Sequence, residues 1–130
     1  MVKKSYNVIV PSDSKIKPFE FEAALILADY FKADVRFLSP SKRYKTNTAD
    51  FVIDNIEYEL KSPITKSPRS IENLIHDATK QSFNIVVDIR KSKIKEKRMM
   101  KLCEDSLRYY KKIKKIVLIV NKNKVLEFIK

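Results

Sequence analysis

The chain has 130 residues, 44% of them apolar, and a net charge of +12. That size and composition make one globular domain spanning residues 1–130, with a core of its own and no need of cross-links. A single cysteine (Cys103) and a single histidine (His76) exclude a disulfide framework and a Cys/His metal site, so any metal must be held by carboxylates, which favours Mg2+ or Mn2+.

Val8-Ile9-Val10 is a short strand candidate, too brief for a signal peptide, and no stretch reaches the ~20 apolar residues of a membrane span. The expectation is a protein that works in a cytoplasm. Pro18 suits the first position of a helix over 18–32, where Phe21, Ala24, Leu25, Ala28 and Phe31 recur at three- and four-residue steps. Glu20 and Glu22 lie in its first turns, about 200° apart, so only one can face a given site. Val35–Leu38 reads as a strand, followed by a polar, basic loop with Lys42, Arg43 and Lys45.

Residues 48–61 carry the clearest pattern. Phe51, Ile53, Ile56, Tyr58 and Leu60 are apolar, whereas Asp50, Asp54, Glu57, Glu59 and Lys61 are charged. Two strands around an Asp54-Asn55 turn explain the alternation, because a chain without glycine must use Asp or Asn for positive-φ positions. Ser62-Pro63 ends the second strand. Ser67-Pro68 opens a second helix to about Gln81-Ser82, with Ile71, Leu74, Ile75 and Ala78 inward. Asn84–Arg90 is a central strand. Residues 93–112 form a third helix with Met99, Leu102, Cys103, Leu107 and Tyr110 inward, and residues 116–129 form a hairpin turning at 121–124. The order is helix, three strands, helix, strand, helix, hairpin: an α/β domain with a mixed sheet flanked by helices.

The hairpin register has a chemical consequence. Centring the turn on Asp54-Asn55 sets Phe51 opposite Tyr58 and Asp50 opposite Glu59, with Cβ atoms ~4.5–5.5 Å apart. Lys61, two residues on, projects from the same face. Opposed carboxylates repel unless a cation lies between them, so Asp50 and Glu59 are candidate ligands of a divalent ion. Such an ion would polarise a phosphodiester oxygen and acidify a water, while Lys61 would stabilise the developing charge.

The segments Thr48-Ala49-Asp50-Phe51-Val52-Ile53 and Glu59-Leu60-Lys61 resemble the PD-(D/E)xK nuclease superfamily, with Ala49 in place of its proline. The resemblance implies a restriction-endonuclease-like fold, with Glu22 as the acid of the preceding helix and Lys80-Gln81 as the later helix position. Gln81 would then position substrate or water. Tyr58-Glu59-Leu60-Lys61-Ser62-Pro63, Lys80-Gln81-Ser82 with Asn84, and Val87-Asp88-Ile89-Arg90 are similar to the C-terminal nuclease domains of CdiA-type contact-dependent inhibition proteins. That likeness spans roughly residues 20–90. It implies a toxin delivered into a target cytoplasm, a nucleic-acid substrate (RNA, including tRNA, or DNA) and a cognate inhibitor protein.

Residues 91–130 hold 14 Lys/Arg against 4 Asp/Glu, a net of +10, leaving +2 for residues 1–90. Lys80, Arg90, Lys91, Lys93, Lys97 and Arg98 are therefore candidate phosphate contacts, which predicts salt-sensitive binding. Asp88 reads as a cap or a partner of Arg90, and His76 as a surface residue. The alternative is a non-catalytic nucleic-acid- or partner-binding domain on a degenerate nuclease fold, with no metal dependence and no cleavage.

Overall fold

A computed structural model describes residues 6–39 and 49–130. The expected basic loop with Lys42, Arg43 and Lys45, and Thr48 with it, lies outside the described residues. The elements are β1 (Val8–Ile9), α1 (Pro18–Phe31), β2 (Val35–Phe37), β3 (Phe51–Ile53), β4 (Ile56–Lys61), α2 (Pro68–Ala78), β5 (Asn84–Asp88), α3 (Glu96–Tyr109), β6 (Lys115–Asn121) and β7 (Lys124–Ile129). They follow the expected order, and the mixed α/β architecture is the one anticipated.

The strands form one sheet in the order β1 to β7. β1–β2, β4–β5 and β5–β6 pair in parallel, each pair bridged by a helix, because a parallel neighbour needs a crossover connection. β2–β3, β3–β4 and β6–β7 are antiparallel. The β3–β4 turn places Asp54 at φ 51° and Asn55 at φ 66°, the two left-handed residues that a tight hairpin requires. Both are residue types that tolerate that region without glycine.

Side chains alternate across this sheet, which divides the core in two. On one face α1 covers Phe37, Phe51, Tyr58, Leu60, Val86 and Val117. On the other, α2 and α3 cover Ile85, Val87, Ile116 and Leu118. Each fully buried aliphatic side chain stabilises the fold by roughly 1.5–3 kcal/mol relative to exposure.

The three helices differ in detail from expectation. The buried stripe of α1 is Ala23, Ala24, Leu27 and Ala28, whereas Phe21 and Leu25 face outward at 37% and 45% exposure. Apolar residues ring most of this helix, so periodicity does not select a face, and the small alanines allow the closer approach to the sheet. α3 is shorter than expected at both ends. Ser92 Oγ accepts a hydrogen bond from Ile94 N before it, and an extended Tyr110 ends it. Tyr110 consequently leaves the helix stripe, stacks on His76 at 4.8 Å and donates to Glu72. α2 stops at Ala78, and residues 79–82 continue as tight turns whose Gln81 and Ser82 amides both donate to Ala78 O.

Candidate active site

The site begins with the β3–β4 register. Phe51 pairs with Tyr58, Val52 with Glu57 and Ile53 with Ile56, so Asp50 extends the ladder opposite Glu59. The Asp50 amide donates to Tyr58 O at 2.9 Å, and Asp50 Oδ2 accepts from the Leu60 amide at 2.8 Å. Glu59 is paired in register with Ile85, and Lys61 with Val87. That assigns both side chains to the α2–α3 face, opposite the Phe51–Tyr58–Leu60 core. Lys61 Nζ is 3.6 Å from Glu59 Oε2.

Glu59 is only 8% exposed. Its carboxyl is pushed up to about 8, first by burial and then by the facing Asp50, with Lys61 pulling the other way. A hydrogen bond between the two carboxyls raises it further. The pair thus holds a proton near neutrality, where two exposed carboxylates would be fully ionised. Replacing that proton with a cation would relieve the same repulsion. Among the described residues no group of three or more His, Cys, Asp or Glu gathers around a point.

Other candidates are distributed differently. Glu22 is not brought to this pair. Its carboxylate lies 3.3 Å from Arg90 Nη1, and Arg90 also donates to Phe19 O on the α1 side of the sheet. Arg90, a candidate phosphate contact, is only 14% exposed and donates from Nε and Nη2 to the two oxygens of fully buried Asp88, so its guanidinium is engaged within the protein. Asp88 without that guanidinium would be an uncompensated buried charge. Phe19 lies beneath both Arg90, at 4.0 Å, and Lys91, at 3.9 Å, fastening the start of α1 to the end of β5. Lys91, Lys93, Lys97 and Arg98 are exposed, as is Lys80, 3.9 Å from Asp77. Ser92 Oγ donates to Thr65 O, which holds the basic 91–95 segment beside the chain that leaves β4 after Lys61.

Gln81 lies beyond α2, where it shares a cavity of about 460 Å³ with Asn55, Glu57, Phe83 and Asn84. Phe83, 47% exposed, escaped the sequence reading. Its signal was a lone aromatic among polar neighbours, Gln81-Ser82-Phe83-Asn84, just before a buried strand. A larger groove of about 620 Å³ between α2 and α3 contains Arg98, Lys101 and Arg108 but also Glu72 and Asp105, and none of the Asp50–Glu59–Lys61 group.

The model of the contact-dependent growth inhibition CdiA C-terminal domain matches residues 46–125. The chain belongs to that family. The match runs from the segment before β3 into β7, so it includes Asp50, Glu59, Lys61 and Gln81 but not Glu22. Among solved structures, this CdiA C-terminal domain is similar to a chain of the CdiA-CT/CdiI toxin and immunity complex from Burkholderia pseudomallei. The TM-score is 0.70 at 19% identity, over 95% of this chain and 99% of that one, a shared fold at low sequence likeness. No curated protein matches the chain in sequence. Among the described residues of this CdiA domain, no helix is long and apolar enough to cross a membrane.

Proposed function

We propose that this CdiA C-terminal domain is a growth-inhibiting toxin that acts as a metal-dependent nuclease of the PD-(D/E)xK kind. The observation that carries this reading is the Asp50–Glu59 carboxyl pair, set face to face by the hairpin with Lys61 Nζ 3.6 Å from Glu59. Two carboxylates, with no third His, Cys, Asp or Glu grouped with them among the described residues, fit a hard ion that keeps water and substrate oxygens in its shell, as Mg2+ and Mn2+ do. When bound, such an ion supplies Lewis-acid polarisation of a phosphodiester and a more acidic water.

The chain's own residues would do the rest. Asp50 and Glu59 would hold the ion, with the Glu59 carboxyl ionised. The Leu60 amide fixes the Asp50 carboxylate through Oδ2, so one ligand is already oriented by the backbone. Lys61 sits on the same face and donates to the negative charge that grows on the phosphate oxygens. Exposed Lys91, Lys93, Lys97 and Arg98 supply backbone attraction to a polyanion, in keeping with the net charge of +12. The toxin and immunity complex formed by the structural relative supports a cognate immunity protein that blocks this domain, and membership of the contact-dependent growth inhibition family supports delivery into a target cell.

The test is incubation of the wild type, Glu59→Gln and Lys61→Ala with total tRNA, plasmid and genomic DNA, in Mg2+, Mn2+ or chelator. Cleavage is expected from the wild type with metal only, and a loss of about 100-fold or more in each variant. Cleavage by both variants at the wild-type rate would overturn the assignment. Salt-sensitive binding without any cleavage would favour the non-catalytic alternative.

A further inference from the structure

The cavity at the start of β4 and β5 has the composition of a base-binding site rather than of a packing defect. Asn55, Glu57, Gln81 and Asn84 supply side-chain donors and acceptors, Lys80 a charge, and Phe83 an aromatic ring. Its volume of about 460 Å³ lies within the range of small-ligand sites. Phe83 is 47% exposed instead of joining either core, and Lys114 Nζ lies 5.7 Å from its ring. The backbone beneath is rigidly held. Ser82 Oγ donates to Glu57 O at 2.7 Å and accepts from the Asn84 amide at 3.1 Å, and the Lys114 amide donates to Phe83 O at 2.8 Å. An exposed aromatic ring on such a pinned backbone is a ready stacking surface.

Gln81 Oε1 is buried and has no hydrogen-bond partner among the described residues. A buried acceptor of that kind is unfavourable, and turning the Gln81 amide into the cavity that the residue lines would bring it to a donor there. Amide side chains beside an aromatic ring are the means by which proteins read an unstacked base along its edge. Position strengthens the case. Glu57 and Glu59 alternate onto the same face of β4, so Glu57, which lines the cavity, stands about 7 Å along the strand from Glu59.

We propose that this cavity is a nucleobase subsite, in which Phe83 stacks one unpaired base and Gln81 and Asn84 read its edge. The proposal rests on the nuclease reading for its substrate class, a single-stranded segment of RNA or DNA. It does not need the domain to cleave. Gln81 is therefore a specificity residue here, acting one base away from the bond under attack.

The experiment is fluorescence anisotropy in chelator, so that cleavage plays no part, using labelled ribo- and deoxyribo-octamers of each single base and an abasic octamer. The proteins are the full chain as wild type, Phe83→Ala, Phe83→Trp and Gln81→Leu, each first checked by circular dichroism and thermal melting. Phe83→Ala should weaken binding to the preferred octamer about 10-fold and leave abasic binding unchanged, with Phe83→Trp restoring it. Gln81→Leu should flatten the difference between bases. The ribo and deoxyribo arms show which sugar the site accepts. Three results overturn the proposal: equal affinity of Phe83→Ala and wild type for every octamer, equal weakening on the abasic octamer, or no binding of any octamer by the wild type. Failure of the nuclease reading alone looks different, as base-dependent binding would persist while tRNA and DNA stay intact in Mg2+ or Mn2+.

Discussion

Replacing Glu59 with glutamine should make the metal-free domain more stable, although it removes a central residue of the site. The folded carboxyl is held at about 8, against 4.5 for an ordinary glutamate. Keeping it protonated at pH 7 costs at most about 3 kcal/mol, at about 1.4 kcal/mol per pH unit. Glutamine has no proton to lose, and its amide can donate to the Asp50 carboxylate. The sign follows from linkage. A group whose folded value is raised contributes stability that is complete below pH 4.5 and is lost as pH rises through about 8. The advantage of Glu59→Gln should therefore be near zero at pH 4.5, grow steadily above it, and level off beyond pH 8. At pH 7 the expected rise in Tm is about 5–10 °C for a domain of this size. Thermal melts in chelator at half-unit pH steps provide the measurement. Saturating Mn2+ should close most of the gap by stabilising the wild type alone, by about 3 kcal/mol at a hundredfold excess over Kd. A variant that melts at or below the wild type between pH 7 and 8, or a gap that ignores pH, would refute this account of the carboxyl pair.

Arg90→Ala should destabilise the fold by about 3–5 kcal/mol, because it leaves fully buried Asp88 without its guanidinium partner. Urea unfolding checks this, and a loss below about 1 kcal/mol would show that Arg90 behaves as a surface ion-pair residue. Combined Lys91→Ala, Lys93→Ala and Lys97→Ala should lower the slope of log K against log salt by about 2 on single-stranded RNA, at ~0.7 per lost phosphate contact. Binding isotherms at four salt concentrations in chelator would measure it, and an unchanged slope would remove these three lysines from the interface.

Strand alternation made the hairpin legible. Ile56 to Lys61 alternate, and Asp54-Asn55 marks the turn, so the register, and with it the meeting of Asp50 and Glu59, follows from side-chain period and turn chemistry. The start of α2 was equally local, because Ser67 caps it through the Ser70 amide and Pro68 opens it. Composition bounded the metal chemistry as well: one histidine and one cysteine leave only carboxylates to hold an ion. The α1 face was not legible, because its apolar residues surround the helix and only contact with the sheet selects Ala23, Ala24, Leu27 and Ala28.

What tertiary structure alone decided is which charges meet across elements distant in the chain. Glu22 and Arg90 are 68 residues apart in the chain and bind each other because α1 crosses the end of β5, a long-range packing outcome that no local pattern encodes. The same packing withdraws Arg90 from solvent beside buried Asp88, and at the other end of β5 Phe83 stays exposed in the cavity that Glu57 lines. Local periodicity specifies what a segment presents on each side. Which of those sides is desolvated, and beside which partner, depends on elements distant in the chain, and desolvation is what raises the Glu59 carboxyl.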